Sequence, residues 1–254
     1  VPALIFGVAV GNVLLGVPFY LTDDLMPMYD GAYWAKFARL LSPFALLAGV
    51  VSLAMLVMHG AAWLSLKAEG PVAARARAYG TLAGAVAFLG YAAAGLWLAL
   101  GIDGFALAGE VVRDGPSNPL YSEVTRGGSW LSAYAARPWI VVAPVMGFAG
   151  IALAVAGLRA GREVSTLLWS KMGITGVIAS VGLTMFPFIL PSTVNPDASL
   201  TVWDASSSHL TLFVMLVCTV IFMPLILAYT AWVYRVLWGK VTEDDVTGNS
   251  DSVY

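Results

Sequence analysis

Five apolar stretches, at residues 41–66, 79–101, 138–158, 167–190 and 210–233, take up close to half of this 254-residue chain. Lys171 is the only Asp, Glu, Lys or Arg inside them. A helix rises 1.5 Å per residue, so about 20 apolar residues cross the hydrocarbon core of a bilayer. In lipid, backbone groups must find partners within their own segment, which leaves helices as the reading of such stretches. A sixth apolar stretch, 1–15, begins at the first residue and is too short to span. The expected fold is an all-α integral membrane bundle with five full transmembrane helices plus one truncated at the N-terminus. Residues 1–254 are read as a single transmembrane domain. The chain begins Val-Pro, with neither a basic leader nor a small-residue cleavage site. The expectation is the C-terminal part of a longer protein whose residue 1 lies inside a helix.

Composition narrows the function. Hydrophobic residues make up 59% and charged residues 11%, with a net charge of −2. No basic patch is available, so nucleic acid is excluded as a partner. Cys218 is alone, so the chain holds no internal disulfide, and its place in an apolar helix reads as a small core residue.

Loop charge orients the helices. Lys67, Arg75 and Arg77 outweigh Glu69 in 67–78; Arg159, Arg162 and the nearby Lys171 outweigh Glu163 around 159–166; Arg235 and Lys240 follow the last stretch. These loops and the C-terminus are assigned to the cytoplasm. Residues 102–137, with Asp103, Glu110, Asp114 and Glu123 against Arg113, Arg126 and Arg137, face outward. So does 191–209, which carries only Asp197 and Asp204. The first loop, 18–40, holds Asp23, Asp24 and Asp30 against Lys36 and Arg39. Trp34, Trp63, Trp97, Trp139, Trp169, Trp203, Trp232 and Trp238 sit near helix ends, where indole rings favour the headgroup region.

Local signals set the boundaries. Ser42-Pro43 reads as an N-cap followed by a first-turn proline, and 206–208 is a serine run that can start the last helix. Pro144 and Pro224 are expected to kink their helices, and Pro187 and Pro191 to close the fifth. Asp114-Gly115-Pro116-Ser117-Asn118-Pro119 breaks the long outer loop. Gly7 with Gly11, and Gly80 with Gly84, have the four-residue spacing that lets helix backbones approach, read here as packing within the chain. The polar stretch 195–208 is expected to be exposed, with Asp204 capping the last helix and Trp203 anchoring at the interface.

Chemistry within the spans is sparse. Lys171 lies near a cytoplasmic end, from which its stem can snorkel. His59 lies 17 residues after Ser42, about 25 Å along the axis, and so near the cytoplasmic side. His209 starts the last helix on the outer side. Lying near opposite faces, the two histidines are not expected to share one iron. They read as a packed or interfacial residue and a helix-start residue. A secondary transporter would carry buried polar sites at mid-membrane, which these spans lack; a transporter or a membrane scaffold is the alternative reading.

The chain resembles subunit II of the cytochrome bd-type quinol oxidases. The resemblance is carried by 11–19 (GNVLLGVPF), 43–52 (PFALLAGVVS), 101–104 (GIDG) and 117–120 (SNPL). The most specific segments are 185–192 (MFPFILPS) and 198–207 (ASLTVWDASS), with the final Ser252-Val253-Tyr254 in keeping. It implies a nine-helix protein, of which this chain would hold part of helix four through helix nine. It also implies a non-catalytic subunit of a quinol:oxygen oxidoreductase in the bacterial inner membrane, its complex oxidising quinol, reducing oxygen to water and contributing to the proton gradient. The partner would be subunit I, which holds haem b, haem d and the quinol-binding loop. Membrane lipid surrounds the pair. A structural quinone is implied by some members. No catalytic, cofactor-binding or metal-ligating residue is assigned to this chain.

Overall fold

A computed structural model describes residues 1–29, 33–109 and 118–242. Asp30, Glu110, Arg113, the turn 114–117 and the final tripeptide 252–254 lie outside the described residues. Apolar length produces the expected helices. α1 (Pro2–Leu15) is followed by the short α2 (Tyr33–Leu40), then α3 (Pro43–Lys67) and α4 (Gly70–Gly101). α5 (Ser132–Ala136) and a 3-10 turn, Pro138–Val141, lead into α6 (Val142–Ala160); α7 (Glu163–Met185) and α8 (His209–Val236) complete the set. Five of these segments are long and apolar enough to cross a membrane. The helical membrane bundle therefore stands, with shifted boundaries.

α4 begins nine residues before the expected 79, because the Ala-rich 70–78 segment has no breaker after Pro71, which occupies the first turn. Arg75 and Arg77 consequently sit on a helix, and the inner link is only 68–69. α7 stops at Met185, and the apolar 188–190 run is a strand, because Pro187 has no N–H with which to continue the helix. Pro144 falls in the first turn of α6, where its missing N–H is not needed, and α8 continues through Pro224. Ser42 and Ser208 are the N-caps, accepting from the N–H groups of Ala45 at 3.3 Å and Thr211 at 3.4 Å. Gly161, at φ +67°, takes the left-handed conformation that ends α6 and turns the chain directly into α7.

α3, α4, α6 and α7 form a four-helix core, with α1 laid against α3. Small residues bring these helices together. A Cβ on Gly150 or Gly176 would run into the backbone of Gly173 or Gly147, so α6 and α7 touch backbone to backbone. Gly7 and Gly11 nest against Ala45, Ala48 and Ser52, while Gly80 and Gly84 receive Ala61, Leu158, Val155 and Met58. Met58, Ile151, Ala154 and Leu158 are among the buried residues that fill this core. α8 is different: none of its residues is buried in the chain. Cys218 is therefore exposed rather than a core residue.

The segments after α1, α4 and α7 carry three antiparallel ribbons: β1 (Phe19–Leu21) with β2 (Pro27–Tyr29), β3 (Asp103–Leu107) with β4 (Val124–Ser129), and β5 (Phe188–Leu190) with β6 (Leu200–Thr201). They close one end of the bundle as a cap over Leu14, Phe44, Trp130 and Phe188, and the Trp130 indole donates to the Leu14 carbonyl at 3.1 Å.

Candidate functional site

The cap is tied together by two carboxylates. Asp204 is 7% exposed, far from the exposed helix cap expected of it. One of its oxygens accepts from the Thr201 N–H at 2.9 Å, and the other accepts the Ser122 hydroxyl from a loop 82 residues away. Ser208 does the helix capping instead. Asp197 accepts from the Val124 N–H at 2.8 Å, a second tie to the same loop. Ser192 donates its hydroxyl to the Phe19 carbonyl, and its N–H to Ser199 at 2.9 Å. Ala198, Ser199 and Thr201 are fully buried. The 191–205 segment is thus the keystone of the cap rather than an exposed loop, because its polar groups find partners in the other two loops of the cap. Trp203 packs edge-on to Phe186. Both carboxylates are occupied by donors of the chain itself, so the cap is built to hold shape.

Beneath the cap lies an apolar cleft of about 730 Å³, walled by α1, α3, α4, α6 and α7. Its polar side chains are Ser52, whose hydroxyl donates to the Ala3 carbonyl at 2.8 Å, and two hydroxyl pairs. Tyr91 on α4 meets Ser180 at 2.7 Å, and Tyr134 on α5 meets Thr184 at 2.8 Å. Ser180 and Thr184 are four residues apart on α7, one turn, which puts both pairs on one wall. Gly95 and Gly182 also line the cleft, and a Cβ on either meets nothing within 4 Å. These two glycines enlarge a cavity, whereas the core glycines close helix contacts. Sequence reading missed the two hydroxyl pairs and both glycines. The available signal was the Ser180/Thr184 pair at helical spacing in an otherwise apolar span.

The end opposite the cap is held by a strap. The Lys67 ammonium donates to the carbonyls of Leu237 at 2.7 Å and Gly239 at 3.2 Å, with the rings of Trp63 and Trp238 within 5.6 Å. Lys240 pairs with Glu163 at 2.7 Å, and the Val241 N–H donates to the Lys67 carbonyl at 2.9 Å. A cation against the last carbonyls of a helix complements its dipole.

His59 is half-buried on α3, with Nδ1 2.8 Å from the Ser170 hydroxyl. Ser170 gives its one proton to the Leu167 carbonyl at 2.8 Å. Nδ1 of His59 therefore carries the hydrogen and donates to Ser170. His209 is exposed at the first turn of α8, the end next to the cap, while His59 lies toward the strap. Lys171 is exposed on α7, about two turns from its start at Glu163. Among the described residues, no group of three or more His, Cys, Asp or Glu side chains is placed to hold a metal ion.

A family model described as cytochrome bd terminal oxidase subunit II matches residues 1–237. The cytochrome bd-I ubiquinol oxidase subunit 2 of Escherichia coli strain K12 is 39% identical across the whole of this chain and 66% of its own length. A probable cytochrome oxidase subunit 2 of Haemophilus influenzae is 37% identical over the same shares. The chain thus spans just under two thirds of the curated relatives it matches. A chain of the bd oxidase of Geobacillus thermodenitrificans superposes with a TM-score of 0.59 at 13% identity, over 94% of this chain and 62% of that one, a likeness of fold. The match over residues 1–237 and the 39% identity across the whole chain place it in the cytochrome bd terminal oxidase subunit II family.

Proposed function

We propose that this chain is the haem-free second subunit of a quinol oxidase in the bacterial inner membrane. It lies beside a subunit I that carries the b and d haems and the quinol-oxidising loop. The complex oxidises quinol, reduces oxygen to water and contributes to the proton gradient. The observation that carries this reading is the match of a subunit II family model to residues 1–237. Residues 1–254 act as one transmembrane unit, C-terminus in the cytoplasm, contributing no iron ligand, and membrane lipid covers what the partner leaves free. The apolar cleft under the cap houses a structural quinone, its isoprenoid chain along the apolar walls and its ring toward the tyrosines. A drug-sized ligand site occupies about 300–1,000 Å³ and is mostly apolar with a few placed polar groups, and the cleft has that character. The test is a membrane spectrum. Deleting the gene should remove the d-type haem bands, and re-expression should restore them. Bands that persist at full intensity without the chain overturn the reading.

A further inference from the structure

We infer that the cleft selects a head group that donates hydrogen bonds, and therefore holds the quinoid in its reduced, hydroquinone form more tightly than in its oxidised form. This rests on the reading that the cleft houses a quinone, and follows from proton bookkeeping along α7. Ser180 has one hydroxyl proton and gives it to the Val177 carbonyl at 2.7 Å. Thr184 gives its own to the Ser180 carbonyl at 2.6 Å. Each can then only accept from its tyrosine, so Tyr91 and Tyr134 spend their protons on Ser180 and Thr184. What the phenols keep is lone pairs. Two phenol acceptors, held by α7 residues one helical turn apart, line a cleft whose remaining hydroxyl, Ser52, gives its proton to the Ala3 carbonyl at 2.8 Å and so is also left with lone pairs. A quinone carbonyl finds no proton there unless a tyrosine abandons its serine or threonine, which strands a buried acceptor. A hydroquinone brings its own protons and leaves both pairs intact. The space for the ring and chain is real: Gly95 and Gly182 open on it with no heavy atom within 4 Å of a Cβ.

The experiment uses the purified complex containing this chain, equilibrated with decyl-ubiquinone and its hydroquinone at an ambient potential that holds the free pool half reduced. The bound quinoid is extracted anaerobically and its redox state measured. The cleft population is defined as the amount lost in Gly95→Phe, with Gly182→Leu as a second filling variant and the haem spectrum reporting assembly. Expected is a cleft population about nine-tenths reduced. That is a tenfold preference, about 30 mV for a two-electron couple. Tyr91→Phe with Tyr134→Phe removes both phenol acceptors and should return the ratio to that of the pool while the amount bound persists. A cleft population with the pool's ratio in the unsubstituted complex overturns the inference and leaves the cleft reading standing. Bound quinoid unchanged in amount by both filling variants, in normally assembled complex, overturns the cleft reading itself.

Discussion

Asp204 shows how a residue's role depends on partners distant in sequence. An aspartate just before an apolar helix is a ready helix cap, yet its oxygens go to Thr201 and Ser122. Stranding a buried donor costs about 1–3 kcal/mol. Asp204→Ala should accordingly lower the yield of assembled complex several-fold while turnover per assembled complex stays near that of the unsubstituted oxidase. Asp204→Asn, which keeps one acceptor and offers Ser122 a donor, should recover most of the yield. Haem content against oxygen consumption checks both, and normal assembly with abolished oxygen reduction would make Asp204 catalytic. His59 and His209 carry a prediction of the opposite kind. Substituting either by alanine should leave every haem band of the assembled complex in place, since His59 is engaged with Ser170 and His209 is exposed at the far end. Loss of a band at normal subunit amounts would refute it.

At the scale of elements, glycines divide by what surrounds them. Gly150 on α6 and Gly176 on α7 sit where the other helix's backbone already occupies the place of a Cβ. Gly150→Leu or Gly176→Val should prevent α6 and α7 from closing and abolish the complex. Gly60 on α3 has nothing within 4 Å of a Cβ. Gly60→Ala should therefore be tolerated, and its better helix propensity, up to about 1 kcal/mol, should hold or raise the thermal midpoint of the purified complex. A midpoint that falls for Gly60→Ala, or survives for Gly150→Leu, would contradict this division. The helix boundaries follow the same local logic. The start of α4 escaped the hydropathy pattern because Arg75 and Arg77 interrupt apolarity without interrupting helicity. The end of α7 was overrun because Phe188, Ile189 and Leu190 are as apolar in a strand as in a helix.

For the whole molecule, the loops 18–40, 102–137 and 191–209 meet in the cap at one end, and Lys67, Glu163 and the segment after α8 meet in the strap at the other. A cysteine at Thr247, beyond the described residues, should react with an impermeant reagent only in inside-out vesicles; labelling from the outside alone would reverse the topology. The number of spans, their approximate places and the serine caps were legible in the sequence because membrane crossing depends on apolar length within each segment, a local property. The motifs 185–192 and 198–207 were likewise legible as a resemblance. The tertiary structure alone decided the burial of Asp204, the cleft with its two tyrosine pairs, and the position of α8 outside the core. Ser122 and Asp204 are 82 residues apart, and Tyr91 and Ser180 are 89 apart, so only folding brings them together. α8 is apolar on every side, which tells a sequence reader that it enters the membrane and leaves open which helices, if any, it touches. Cys218 was misplaced for that reason: hydropathy in a bilayer does not distinguish a buried face from an exposed one, and only side-chain packing does.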